Sequence, residues 1–371
     1  MNIGFDAKRL FNNFTGLGNY SRTLLKNLLE FYPNNSYHLY TPKYKSNSQT
    51  QFFLKSPYQL FFPKFPKLLW RSYLITNQLK KDNIDLYHGL SHELPLNVKN
   101  SGIKSVVTIH DLIFKKYPQT FPLIDRSIYD FKFKRACANA DTIVAISEST
   151  KKDIVELYDI DHAKIKVVYQ SCQPLYYQPS SLAEKEIKAL YGIPDEYLLF
   201  VGSVETRKNV KLLIEAYRHL HKDFRIPLVI VGRPRQGIQE IRALIESVGM
   251  AHLVIWIENL SDNEHLQVLY QEAQAFIYPS LYEGFGLPVV EALLSRTPVI
   301  TSNVSSLPEA GGPNSLYINP LESEDLAQAI EKVLTDVGLR QTMIAKGFEY
   351  AHSRFGRRVV TDTLVDIYLG T

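Results

Sequence analysis

Tyr278-Pro-Ser-Leu-Tyr-Glu283-Gly284-Phe285-Gly286-Leu287-Pro288-Val-Val-Glu291-Ala-Leu-Leu294 is the stretch on which the fold turns. The apolar run 273–278 that leads into it predicts a buried strand. Glu283-Gly284-Phe285-Gly286 is the turn. Pro288, with its preset φ, suits the start of a helix that continues from Val289 through Leu294. A strand ends, two glycines let the backbone approach something closely, and a helix N-terminus points at it. Free N–H groups and the positive end of the helix dipole suit an anion. Glu283 precedes the turn, and Glu291 is placed on the first helical turn after it. Carboxylates beside a phosphate need another task, and accepting hydrogen bonds from sugar hydroxyls is one. A phosphate with sugars on both sides is a nucleotide sugar. Acidic residues that simply favour a helix start account for the same pattern.

The segment Glu-Gly-Phe-Gly-Leu-Pro-x-x-Glu at 283–291 resembles the signature of the fourth sequence family of glycosyltransferases, retaining enzymes of GT-B fold. The motif fixes both glutamates, both glycines and the proline together, and the likeness extends over nearly the whole chain. The resemblance implies an α/β protein with two Rossmann-like domains facing across a central cleft. The expected bounds are 1–175 for an acceptor-side domain and 176–352 for a donor-side domain. A terminal helix, 353–371, is expected to cross back onto the first domain.

A chain of 371 residues suits two domains, and 45% hydrophobic with 22% charged residues is ordinary for a globular protein. Cys137 and Cys172 make neither a disulfide framework nor a zinc site. Met1 to Asp6 leads directly into a strand, and no apolar run reaches the length of a membrane span. The expectation is a cytoplasmic protein with no signal peptide. Charge divides unevenly: 1–176 carries 24 Lys and Arg against 14 Asp and Glu, and the remainder 18 against 24. A basic front half suits an anionic membrane surface or a lipid-linked acceptor. No basic helix or RNA-binding motif supports nucleic acid. A solvated basic surface with no partner fits equally.

Along the chain, Asn2 to Phe5 predicts a first strand, Thr15-Gly16-Leu-Gly18-Asn19 a polar turn, and Tyr20 to Phe31 a helix with its stripe at Leu24, Leu25 and Leu28. This is a nucleotide-fold opening without the full dinucleotide pattern. Aromatic residues interleaved with cations over 43–81, Phe52, Phe62, Phe65 and Trp70 among Lys55, Lys64, Lys67 and Arg71, suit either a lipid headgroup region or a packed interior with lysines in water. His88 and His110 fall at strand ends. Thr-Ile-His110-Asp-Leu looks like the family's histidine loop, which implies contact with the donor sugar; His88 reads as a polar cap. Ser147 reads as a helix N-cap. Asp159-Ile-Asp161 follows a helix and has no further carboxylate beside it, so it is a poor hard-cation site.

In the second half, the strand ending at Val201 is followed by Gly202-Ser203-Val-Glu205-Thr-Arg207-Lys208-Asn209 and then a helix. Cations beside a helix start oppose the dipole, which an anion between them would explain. The resemblance implies that Arg207 and Lys208 pair with the donor diphosphate, and that Gly16 and Gly18 give backbone contacts near the donor phosphates or the acceptor. It also implies that the turns containing Gly232 and Asn259-Leu260 flank the base, read by backbone groups. Val299 to Ser302 and Ser306 to Glu309 are expected to extend the sheet beside the site.

The expected chemistry is metal-independent and cofactor-free transfer of a hexose from a nucleotide sugar to a glycan or lipid-linked acceptor. Arg207, Lys208 and the helix N-terminus behind Gly284, Phe285, Gly286 and Leu287 would stabilise the departing diphosphate. Glu283 would hold sugar hydroxyls, Glu291 the ribose, and His110 the sugar. Pairing Thr-Gly-Leu-Gly-Asn-Tyr with Thr-Ile-His-Asp-Leu looks most like the mannosyltransferase branch, hence GDP-mannose, with UDP- or dTDP-sugars as alternatives. A nucleotide-sugar epimerase of the same architecture needs paired acid and base groups around the sugar, for which the sequence offers no candidates.

Overall fold

The computed structural model describes residues 1–63, 69–235, 237–260 and 262–370. Lys64, Phe65, Lys67 and Ser261 lie outside the described residues. The chain forms two compact units, 1–171 with 357–371, and 172–356. The first division falls ahead of 175: the Leu175 carbonyl accepts from the Gln267 amide of the second unit at 2.7 Å.

In the first unit seven strands form a wholly parallel sheet. They are β1 (Asn2–Asp6), β2 (Ser36–Tyr40), β3 (Tyr58–Phe61), β4 (Leu86–Gly89), β5 (Lys104–Ile109), β6 (Thr142–Ala145) and β7 (Ile165–Val167), in the order β3-β2-β1-β4-β5-β6-β7. Their side chains divide by the period of two. Val106 of β5 joins one core with Leu24, Leu25 and Leu28, while Val107 and Ile109 join the opposite core with Leu79, Phe133 and Ile154. The terminal helix Arg357–Leu369 adds Val360, Leu364 and Tyr368 to the first of these cores, so the chain's last helix belongs to the first unit.

The second unit repeats the plan with β8 (Leu198–Val201), β9 (Leu228–Val231), β10 (Val254–Ile257), β11 (Ala275–Tyr278), β12 (Val299–Ser302) and β13 (Leu316–Ile318), in the order β10-β9-β8-β11-β12-β13. Strand order reverses at β8, whose neighbours are β9 and β11. In an open parallel sheet the crevice at such a reversal, beyond the carboxyl ends of the strands, is where ligands bind.

Three local expectations differ from the structure. Gly16 and Gly18 lie in the first turn of the helix Gly16–Phe31 rather than in a loop, because the Asn13 side chain accepts from the Thr15 and Gly18 N–H groups and caps the helix early. The stretch after β12 is a short helix, Leu307–Gly311, opened by Pro308 in its first turn, and not a continuation of the sheet. The sequence pattern over Phe131 to Ala140 reads as a helix, and the structure starts that helix earlier, as Leu123–Asn139.

Candidate active site

The second unit brings the loop after β8 to the loop after β11. Thr206–Lys208 is a single 3-10 turn, and Asn209 leaves it in the left-handed region at φ 56°. The Asn209 amide donates to the carbonyls of Pro279 and Pro320 at 3.1 and 2.8 Å, and the Leu281 N–H donates to the Arg207 carbonyl at 2.9 Å. These bonds fix the two loops against each other before any charge is counted.

Three charged side chains then meet. Arg207 Nη1 lies 2.9 Å from Glu283 Oε1 and donates to the Tyr282 carbonyl at 2.7 Å, while Nη2 reaches Glu205 at 2.8 Å. Lys208 Nζ lies 2.7 Å from the same Glu283 oxygen and donates to the Tyr278 hydroxyl. Burial alone would raise the Glu283 carboxyl, but the Arg207 and Lys208 charges outweigh it and hold it at about 2. Burial lowers Lys208, with Glu283 pulling the other way. Glu283 is therefore an ionised acceptor and cannot act as a proton donor near neutrality.

The turn that follows has the expected form. Gly286 sits at φ 106°, and a Cβ there would fall 2.9 Å from Leu307 Cδ2. The helix Leu287–Leu294 has Pro288 in its first turn. Val289 and Val290 direct their N–H groups to the Gly286 carbonyl. The Phe285 ring is buried edge-on against Phe355 at 5.3 Å, so it anchors the turn and leaves only backbone groups to a ligand. Ser306 Oγ donates to the carbonyls of Glu283 and Phe285, at 3.0 and 2.8 Å.

Glu291 stands in the second turn of that helix, not the first, because the helix begins at Leu287. The Tyr270 hydroxyl donates to it at 3.2 Å. Burial raises its carboxyl to about 7, with the Tyr270 bond working in the opposite direction. Beyond β8 and β9 the backbones of Gly202 and Gly232 abut. A Cβ on Gly232 would lie 1.8 Å from the Gly202 carbonyl oxygen, so no larger residue fits. The Val204 N–H donates to the Arg233 carbonyl at 3.0 Å, which closes these loops together, with Ser203 between Gly202 and Val204. Asn259 and Leu260 follow β10, and Asn259 is exposed.

His110 is placed in the first unit, at the end of β5. Its Nε2 donates to the Leu90 carbonyl at 2.9 Å and its Nδ1 accepts from the Gln170 amide at 3.1 Å. Burial, with His92 nearby, pushes it down to about 3, so the ring is neutral. Both ring nitrogens are thus engaged within the unit. Gly18 is held by packing, since a Cβ there would lie 1.7 Å from the Asn13 carbonyl oxygen, whereas Gly16 faces open space. His88 bonds Tyr368 and Thr108 inside the core at 2.6 and 2.8 Å. Ser147 caps its helix by accepting from Thr150 N–H. Among the described residues no group of three or more His, Cys, Asp or Glu could hold a metal ion.

Sequence reasoning overlooked Tyr278, Glu205, Asn209 and Tyr270. Tyr278 alone carried a usable signal, as the last residue of a strand that runs to the site.

Two family profiles match the chain: Glycosyltransferase Family 4 over residues 14–171 and Glycosyl transferases group 1 over residues 184–350. The serotype-specific mannosyltransferase WbdA of Escherichia coli is 31% identical over 263 aligned positions, covering 67% of this chain and 31% of that protein, so the chain spans well under half of that relative. The O-antigen chain mannosyltransferase B of Escherichia coli is 27% identical over 390 residues, with 98% of each chain covered. The crystal structure of Anabaena HepE in complex with UDP is 16% identical and covers 100% of both chains, with a TM-score of 0.78. That likeness shows a shared fold. With one profile on each parallel sheet, the chain belongs to the fourth family of glycosyltransferases and has the GT-B fold.

Proposed function

We propose that the protein transfers a hexose, mannose from GDP-mannose first, to a glycan or lipid-linked acceptor in surface polysaccharide synthesis, with retention and without a metal. The observation that carries this reading is the Arg207–Glu283–Lys208 cluster at the strand-order reversal of the second sheet. Lys208 has three N–H donors and uses two on Glu283 and Tyr278. The third, with the positive charge of Arg207 and the helix N-terminus behind Gly286, suits a diphosphate. Glu283 keeps both cations in place and offers its other oxygen to sugar hydroxyls. Glu291 suits the ribose, Gly202, Ser203 and Gly232 allow close backbone approach, and the Asn259-Leu260 turn suits the base. The resemblance assigns the donor sugar to His110, whose ring nitrogens bond the Leu90 carbonyl and the Gln170 amide.

The reaction breaks the bond from the anomeric carbon to the diphosphate oxygen and forms one to the acceptor oxygen. The departing diphosphate takes the acceptor's proton on the same face. Fixed positive charge aimed at the leaving group is the largest electrostatic contribution available. Mannose is favoured because WbdA and the mannosyltransferase B are named for it. A UDP-sugar is the second reading, because HepE, of the same fold, holds UDP.

Incubation with GDP-mannose, UDP-glucose and dTDP-rhamnose, each with and without a lipid-linked glycan, tests the reading. Acceptor-dependent release of GDP and an α-linked product are expected. Sugar conversion without any acceptor, or a β-linked product, contradicts it.

A further inference from the structure

His110 touches more than the two groups that bond its nitrogens. The Tyr20 ring stands edge-on to it, with 4.7 Å between centroids and 87° between planes. The Tyr20 hydroxyl is hydrogen-bonded to Thr108 Oγ1 at 3.1 Å. Thr108 Oγ1 lies 2.8 Å from His88 Nε2, and His88 Nδ1 lies 2.6 Å from the Tyr368 hydroxyl. Four side chains thus join the terminal helix to the ring of His110 without a break, all within the first unit.

Strand register explains the line. Val106 and Thr108 of β5, then His110 just past its end, fall on one face by the period of two. β4 pairs with β5 with His88 opposite Val106, which brings the His88 ring beside Thr108. Tyr20, Leu24 and Leu28 form the stripe of the helix Gly16–Phe31 that covers this face. Tyr368 arrives from the far end of the sequence on the helix Arg357–Leu369. Lys104 Nζ, at the start of β5, donates to the carbonyls of Ile367 and Tyr368 at 3.1 and 3.0 Å and so fixes the last turn of that helix.

Tyr20, Thr108, His88 and Tyr368 are all buried. Burial, with His110 nearby, pushes His88 down to about 3, so its ring is neutral and donates from one nitrogen while accepting at the other. Packing alone does not call for such a line, because apolar side chains of the same shape would bury no polar group. A buried polar network in which each member needs the next is rigid.

We propose that Tyr20, Thr108, His88 and Tyr368 are positioning residues through which the terminal helix sets the plane of the His110 ring. Tyr20 touches the ring, and the other three hold the Tyr20 hydroxyl and with it the tilt of Tyr20. The consequence for turnover rests on the reading that His110 serves the donor sugar; the consequence for the ring itself does not.

Nitrogen NMR of the full chain, labelled at histidine, checks the ring directly, with His110→Gln identifying its signals. Tyr20→Phe and Tyr368→Phe should each displace the His110 ring resonances while the melting temperature shows the fold retained. Tyr32→Phe is the control: it deletes a 2.7 Å bond to Asp362 on the same terminal helix, outside the line, and should leave those resonances in place. Transfer from GDP-mannose to a lipid-linked glycan gives the second readout. Tyr20→Phe and Tyr368→Phe should each lose about three- to tenfold in kcat, up to what one net hydrogen bond contributes, with KM for the nucleotide sugar nearly unchanged. In a His110→Gln background they should cost nothing further, because the ring they position is gone. Unmoved His110 resonances in both phenylalanine variants overturn the proposal, and so do equal kcat losses with and without His110. An equal displacement in Tyr32→Phe also overturns it, by assigning the effect to loosened docking of the helix. If His110→Gln and both phenylalanine variants turn over like the parent while the resonances move, the donor-sugar reading of His110 fails and the positioning stands.

Discussion

Lys208 Nζ and Glu283 Oε1 stand 2.7 Å apart although 75 residues separate them in the chain. The pair exists because β8 and β11 are hydrogen-bonded neighbours, with Leu198 opposite Ala275 and Leu199 opposite Phe276. Each strand delivers its loop to the same edge of the sheet. Arg207 completes the cluster on the same carboxylate oxygen.

If these cations receive a departing diphosphate, Lys208→Ala and Arg207→Ala should each lower kcat by about 10² to 10³, by analogy with a lost oxyanion donor. KM for the nucleotide sugar should change less. Steady-state kinetics check this, and near-parental turnover in either variant removes the residue from the chemistry.

Tyr278→Phe keeps the ring stacked on Phe200 and deletes only the hydroxyl that Lys208 bonds. A hydrogen bond to a charged group contributes about 1.5–3 kcal/mol, so a loss of roughly ten- to a hundredfold in kcat is expected, with folding retained. A variant with full activity would mean that Glu283 alone positions the ammonium.

Glu291 supplies a pH signature. Its folded value, about 7, lies above the ordinary carboxylate value of 4.5. Between those values the folded state binds more protons than the unfolded one, so stability falls as pH rises through that window. Glu291→Gln removes the slope, and its melting temperature relative to the parent should climb from about pH 5 to about pH 8. Nucleotide affinity of the parent should strengthen over the upper part of that range, as the ionised carboxylate accepts ribose hydroxyls. Calorimetric titration that finds affinity flat with pH separates Glu291 from the ribose.

Transfer should proceed undiminished after chelation, because fixed cations and main-chain amides are assigned the leaving group. An assay in excess EDTA checks this. Activity lost to EDTA and restored by a divalent ion would demand a different site.

Sequence alone determined what depends on neighbours along the chain. The apolar run 273–278, the paired glycines and Pro288 encode strand, turn and helix locally, and alternation of apolar runs with helical stripes encodes two parallel sheets. It also placed Arg207 and Lys208 past a strand end and Ser147 at a helix start. Spacing erred where a side chain from outside the window took part. Asn13 caps the helix that swallowed Gly16 and Gly18, and nothing within the glycine pattern reports that bond.

Tertiary structure decided the rest, because sheet order is not written in any one strand. Only the order β10-β9-β8-β11-β12-β13 brings Glu283 between two cations and so fixes its charge. Likewise the apolar residues of Leu123–Asn139 look alike in sequence, and burial by the sheet chooses which side is core and which faces water. A charge or an apolar side chain acquires its role from what surrounds it, and those surroundings come from strands far apart in the chain.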